Sequence, residues 1–262
     1  MRAVESGDLK VERQGRVAWI TFNRPEARNA MTFDMYDDLH DVCDELDSDR
    51  DVRVVVVRGA GDKSFAAGTD IRQFLTFETR EDALGYEARI GRVLRRLSAV
   101  TKPTIAMVQG DAVGGGLFLS LACDLRFAAE HARFGAPVAR TLGNCTAPFS
   151  FTLLASTVGM VRAREILIRA RLVAAPEAKA LGLVDEVCPA GELETRVREE
   201  AERLTGHAPL TMAAVKEATR RVREAFALDD AEDIVLSCYL SEDFKEGARA
   251  FLDKRKPNWK GI

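Results

Sequence analysis

The chain has 262 residues, of which 47% are apolar and 30% charged, with a formal net charge of −3. That length builds one large core, and those fractions are those of an ordinary soluble protein. Basic residues are spread along the chain and mixed with acids rather than gathered into a stripe, which argues against a nucleic-acid partner.

The first strand is expected over residues 17–22 (Val17-Ala18-Trp19-Ile20-Thr21-Phe22), rich in β-branched and aromatic side chains. Asn23-Arg24-Pro25-Glu26-Ala27-Arg28-Asn29-Ala30 closes it and leads to a helix capped by Thr32. Residues 53–58, valines between Arg53 and Arg58, are a buried-strand signal that ends in Gly59-Ala60-Gly61-Asp62. Ser64-Phe65-Ala66-Ala67-Gly68-Thr69-Asp70-Ile71 then runs into a helix. A helix over residues 81–90 and beyond puts Tyr86, Ile90, Val93 and Leu97 on one inward face. Glu87 lies one step round, and its helical neighbours Ala83, Ile90 and Gly91 offer no ion pair.

A strand at 104–108 precedes Gly114-Gly115-Gly116, and an apolar helix follows from Leu117 to Ala122. A strand at 125–128 comes next, followed by Arg133-Phe134-Gly135. In the loop over 139–148, Asn144, Cys145 and Thr146 suit either a polar pocket or the cap of the next helix. Pro176 opens a helix that stops at Gly182, and 183–187 reads as a short strand. From Gly191 the pattern is helical, over 193–204, 210–226, 231–240 and 244–254. The organisation is therefore an α/β core over residues 1–190 and a helical C-terminal region over 191–262.

The glycines carry the chemistry. They let the backbone approach a ligand, and the following helix aims free N–H groups and its positive end at the same spot. That suits a site where negative charge develops on an oxygen. A phosphate-cradling P-loop would need Gly-Lys-Ser/Thr, whereas Leu117-Phe118-Leu119 follows here, and no G-x-G-x-x-G occurs. Read alone, the glycines suit simple packing of a helix on a sheet equally well. Asp111 suits a cap of the turn, and Asp124 a structural role at the start of a strand.

The segments at Trp19, Gly68 and Gly114 in this order, with Cys123-Asp124-Leu125-Arg126 and the tail Ser241-Glu242-Asp243-Phe244 to Lys256-Pro257, resemble the crotonase superfamily of enoyl-CoA hydratases and isomerases. The likeness runs from about Val11 to Trp259. It implies a crotonase-like spiral of ββα units, and a substrate that is an acyl-CoA thioester. Coenzyme A then arrives as part of the substrate, with no permanently bound cofactor. The resemblance places Thr69 and Gly115 as the two main-chain donors to the thioester oxygen. It puts Ala67, Asp70 and Ile71 along the pantetheine arm and adenine, and Arg28 and Lys254 near the CoA phosphates. It also implies a homotrimer, or a hexamer as a dimer of trimers, with C-terminal helices crossing between subunits.

Two positions depart from that family. Where its hydratases carry paired glutamates, this chain has Phe118 and Val138, and neither side chain transfers a proton. Thr146 stands near where relatives that attack the acyl group carry an aspartate. Tyr86 and Glu87, on the helix that forms the acyl-pocket wall in relatives, are the replacement acid–base candidates. The leading expectation is an enoyl-CoA hydratase/isomerase-type enzyme. The alternatives are a decarboxylase or other thioester lyase, and a non-catalytic acyl-CoA-binding protein. Phe118 and Val138 favour a hydrophobic acyl group under all three.

Five cysteines without C-x-x-C spacing predict reduced thiols, and three separated histidines predict no metal and no His-based triad. Residues 1–8 hold no apolar signal core and no run is long enough to span a membrane, so a cytoplasmic protein is expected.

Overall fold

The computed structural model of the chain describes residues 7–227 and 231–262. In chain order the first half contributes β1 (Leu9–Gln14), β2 (Val17–Phe22), α1 (Phe33–Ser48), β3 (Val54–Gly59), β4 (Ser64–Ala66) and α2 (Arg80–Ser98). A six-residue 3-10 turn, Ile71–Thr76, lies between β4 and α2. Next come β5 (Thr104–Val108), β6 (Asp111–Val113), α3 (Gly115–Ala122), β7 (Leu125–Ala129) and β8 (Arg133–Gly135). Helices α4 (Val138–Thr141), α5 (Pro148–Val158) and α6 (Met160–Ile168) follow, then β9 (Val173–Ala174), α7 (Ala175–Ala180) and β10 (Glu186–Cys188). The chain closes with α8 (Leu193–Thr205), α9 (Pro209–Glu224), α10 (Glu232–Tyr239) and α11 (Glu242–Leu252).

Six strands form one sheet in the order β1-β2-β3-β5-β7-β10, parallel except for the β1–β2 pair. The second sheet has the order β4-β6-β8-β9, with β8–β9 antiparallel. Period-two side chains divide the first sheet cleanly. Ala18, Ile20, Val55, Val57 and Ala106 join Phe65, Ala112 and Phe134 of the second sheet in one core. Val17, Trp19, Val54, Val56, Ile105 and Met107 face the other way, against Leu193, Val197, Ala201 and Leu204 of α8. The valine run is therefore buried on both faces, as parallel strands covered on each side are.

The C-terminal helices pack against the core in two places. Helix α8 is the outer layer of the core, because its apolar stripe is what covers the exposed face of β2, β3 and β5. Helices α10 and α11 lie over this chain's own α2 and 3-10 turn, where Val235, Tyr239 and Phe244 pack with Phe74, Ala83 and Leu142. The cause is aromatic: the Phe244 ring lies 5.6 Å from Phe74 and 4.8 Å from Tyr239, both edge-on. Thr32 caps α1 as expected, its hydroxyl accepting from Met35 N. Strand β10 starts at Glu186, so Leu183 and Val184 of the expected strand are instead buried loop residues.

Candidate active site

Strands β4 and β6 pair in parallel, so the turns that leave them emerge side by side. The first turn is Ala67-Gly68-Thr69-Asp70 and the second is Gly114 leading into α3. Gly68 has φ 91° and Gly114 φ 56°, the region that glycine enters without steric cost. The two turns touch through their glycines. A Cβ on Gly68 would lie 3.4 Å from Gly115 N, and one on Gly116 would sit 2.0 Å from Ala66 O.

The neighbouring main-chain groups are spoken for. Met31 N donates to Gly68 O at 2.8 Å, Asp70 N donates to Met31 O at 2.9 Å, and Gly114 N donates to Gly135 O at 2.9 Å. Among the described residues, no hydrogen bond takes the N–H of Thr69 or of Gly115. The Gly115 donor belongs to the first turn of α3, where N–H groups have no intrahelical acceptor and the helix end is positive.

Hydroxyls surround the Thr69 side chain. Its Oγ1 lies 3.0 Å from the Tyr36 hydroxyl and 2.8 Å from that of Tyr86. Burial pushes both phenols well above their ordinary range, so they stay protonated. One position along α2, Glu87 Oε1 accepts a hydrogen bond from the Tyr239 hydroxyl at 2.6 Å. Asn144 Nδ2 donates to that same hydroxyl oxygen at 3.1 Å. Burial raises the Glu87 carboxyl to about 7, and the bond from Tyr239 keeps it from rising further. Glu87 makes no ion pair among the described residues, so nothing cationic opposes burial. A carboxyl that titrates near neutrality can both take and return a proton.

Residues 12–262 match the family model described as enoyl-CoA hydratase/isomerase. A short-chain-enoyl-CoA hydratase of Clostridium acetobutylicum is 36% identical, with 97% of each chain covered. The chain belongs to the enoyl-CoA hydratase/isomerase family. Crotonyl-CoA hydratase of Syntrophomonas wolfei is 35% identical over 96% of this chain and 97% of its own. Among solved structures, an enoyl-CoA hydratase from Mycobacterium avium subsp. paratuberculosis has TM-score 0.84 at 32% identity, covering 97% of this chain and 98% of its own. A methylmalonyl-CoA decarboxylase in complex with 2-nitronate-propionyl-CoA has TM-score 0.87 at 30% identity, with the same coverage. Mixed α/β architecture and crotonase-superfamily membership thus agree with the expectation.

Within this family member the expected site residues fall into two groups. Thr69, Gly115, Tyr86, Glu87 and Asn144 are linked to one another by the touching turns, by hydroxyl contacts or through Tyr239. Phe118 is buried on α3 in the core that Tyr86 packs against. Val138 is half-buried and opens α4, while Ala67 and Ile71 are half-buried beside the Thr69 turn. Arg28 and Lys254 are exposed, and among the described residues neither side chain makes an ion pair.

Asp70 has a task of its own. It caps the 3-10 turn by accepting from Arg72 N, and its carboxylate accepts from Arg72 Nε at 2.9 Å and Arg24 Nη2 at 3.2 Å. Those guanidiniums hold its carboxyl down at about 2. Asp111 likewise accepts both bonds of the Arg133 guanidinium, at 2.9 and 2.6 Å, rather than capping the glycine turn. Asp124 is structural as expected, accepting from Thr104 N and Oγ1 and pairing with Lys216. His40, Asp41 and Asp44 come together on the outer face of α1, but Arg96 already occupies Asp44.

Sequence reasoning missed Tyr36, Asn29 and Tyr239. Asn29 is wholly buried, accepts from Arg24 N, and donates to Ala60 O at 3.0 Å and Ser64 O at 2.8 Å, which ties the β2 exit to β4. Tyr36 falls on the apolar face of α1 with Leu39 and Cys43, a periodicity that signals burial but not a partner. Tyr239 sits 152 residues from Glu87, and no local pattern joins them.

Proposed function

We propose that this protein is an acyl-CoA thioester enzyme of the hydratase/isomerase kind, in which the Thr69 and Gly115 N–H groups hold the thioester oxygen. The observation that carries this reading is the pair of unengaged donors on adjoining glycine turns. When the carbon beside the thioester gives up its proton, the electron pair moves onto the thioester oxygen. Two fixed donors in a water-poor pocket stabilise that enolate better than mobile water does, and one such donor is typically worth about 3–4 kcal/mol.

Glu87 is the acid–base group of this reading, because Phe118 and Val138 offer no transferable proton and its own carboxyl titrates near neutrality. Tyr86 lines the pocket beside Thr69. Phe118 and Val138 make the acyl end apolar, Ala67 and Ile71 flank the pantetheine arm, and Arg28 and Lys254 meet CoA phosphates. Coenzyme A enters and leaves with the substrate. The working form is a cytoplasmic homotrimer or hexamer, a reading supported by the exposed apolar residues of α9.

The test uses enoyl- and 3-hydroxyacyl-CoA thioesters in deuterated water, followed by mass spectrometry. Enzyme-dependent deuterium at the carbon beside the thioester is expected. Binding without exchange across the panel overturns the proton-transfer reading. A decarboxylase is the second reading, supported by the TM-score of 0.87 to methylmalonyl-CoA decarboxylase. Loss of CO2 generates the enolate with less proton machinery, and CO2 release from malonyl-type thioesters would identify it. Binding with neither exchange nor CO2 release would indicate a non-catalytic acyl-CoA-binding protein.

A further inference from the structure

We infer that Tyr239, carried on α10, is the positioning residue that keeps the Glu87 carboxylate ionised and aimed, so that the acyl site is complete only with the C-terminal helices docked on α2. The inference rests on the reading of Glu87 as the acid–base group and adds a residue that the α/β core does not supply.

The geometry is that of a directed chain of donors. Tyr239 has one hydroxyl proton, and at 2.6 Å it goes to Glu87 Oε1, a separation typical of an O–H donor meeting a carboxylate. Asn144 Nδ2 donates into the Tyr239 oxygen at 3.1 Å, which polarises the hydroxyl and strengthens its donation to Glu87. Asn144 Oδ1, by contrast, is buried without a partner among the described residues. The amide thus presents its donor to Tyr239 at the expense of its acceptor.

That orphan oxygen has a use when Glu87 gains a proton. The new carboxyl O–H donates to the Tyr239 oxygen, the Tyr239 proton needs another acceptor, and an Asn144 amide turned over presents Oδ1. The three groups then have one arrangement for each protonation state of Glu87, and the Tyr239 hydroxyl proton has an acceptor in both. Packing alone does not require the hydroxyl, since the Tyr239 ring already lies 4.8 Å from Phe244 and 5.9 Å from Tyr86.

The other titratable groups around Glu87 are the Tyr36 and Tyr86 phenols and the Cys145 thiol. Burial keeps the phenols protonated, and donation of the Cys145 proton to Cys238 keeps Cys145 so. That same donation draws the Cys238 thiol down to about 6, into the range where Glu87 titrates. The experiment is therefore done in a Cys238→Ser background.

Tyr239→Phe retains the ring and removes the hydroxyl. Loss of a hydrogen bond to the charged form raises the Glu87 midpoint, by about one to two pH units for a bond to a carboxylate. The acid limb of deuterium exchange moves up with it, so the rate falls roughly tenfold below pH 7 and returns toward the parent value near pH 9. Carboxyl carbon-13 NMR, with the Glu87 signal assigned by its loss in Glu87→Gln, reads the midpoint independently of activity. Both shifts together are the expected result. An unmoved NMR midpoint overturns the inference, whatever the rate does. A midpoint that moves while the acid limb stays shows that Glu87 is not the reacting group, which overturns the inference together with that part of the proposed function and leaves the Thr69/Gly115 donors untouched. Asn144→Ala, which keeps both the ring and hydroxyl of Tyr239, should give a smaller shift in the same direction. If the Phe variant does not fold, no shift in the Ala variant overturns the inference.

Discussion

Burial raises the Glu87 carboxyl to about 7, well above its ordinary 4.5. The folded protein therefore binds more protons than the unfolded chain between those two values, and stability falls as pH rises through that window. Glu87→Gln removes the burden while leaving a side chain that accepts from Tyr239. Its thermal stability should exceed that of the parent at pH 8, by about 1–3 kcal/mol, and match it at pH 4. The same variant should lose deuterium exchange by about a hundredfold or more, the usual scale of a positioned acid–base group. Asp70 shows the opposite sign. Arg72 and Arg24 hold its carboxyl at about 2, below its ordinary 3.8, so its contribution is full above pH 4 and is lost as pH falls through 2. Asp70→Asn should destabilise by about 1–3 kcal/mol at pH 7 and by less at pH 3, measured by urea unfolding at both values. Both residues were visible as candidates in the sequence. Their environments were not, because Tyr239 and Arg24 lie 152 and 46 residues away.

The glycine turn at β6–α3 is the element most fully legible from sequence. An apolar strand, three glycines and an apolar helix have few ways to pack, and β5, Gly114 and α3 appear where expected, with the short β6 added between them. Its tolerance is set by the neighbouring turn. A methyl on Gly116 would lie 2.0 Å from the Ala66 carbonyl oxygen, and backbone cannot step aside as a side chain can. Gly116→Ala should cost about 3 kcal/mol or more, or leave no soluble protein, as denaturant unfolding or soluble yield will show. A retained midpoint would mean that the two turns lie further apart. Strand β1, the three-residue β4, β6 and β8, and the two-residue β9 were not foreseen. Lys10, Glu12, Arg13 and Gln14 dilute the apolar pattern of β1, which is a strand because it pairs along all of β2. Helix α8 was recognised as a helix from its stripe, and only the structure shows that the stripe covers β2, β3 and β5. Periodicity states that a face is buried and leaves open what covers it.

At the scale of the molecule, α9 has no buried residue, and Leu210 and Phe226, in and just after it, are 84% and 75% exposed. A cavity of about 800 Å³ between α5 and α9 is lined by Phe151, Met160, Val222 and Phe226 among others. An apolar face of that extent supports the proposed homo-oligomer. Val222→Asp, charged and on the surface, should leave the fold intact by circular dichroism and shift sedimentation toward the monomer. An unchanged sedimentation coefficient would place the subunit contact elsewhere.

The sequence by itself determined the family, the order of the main strands and helices, and the two glycine turns. Each of these depends on local patterning or on residue types with narrow backbone roles. Only the tertiary structure decided that Tyr239 meets Glu87, that Tyr36 and Tyr86 share Thr69, that Asp70 serves two arginines, and that α10 and α11 lie over their own α2. Those contacts join segments far apart in the chain. Hydrogen-bond partners and burial, which set the protonation of Glu87, are properties of the packed molecule and have no local trace in the sequence.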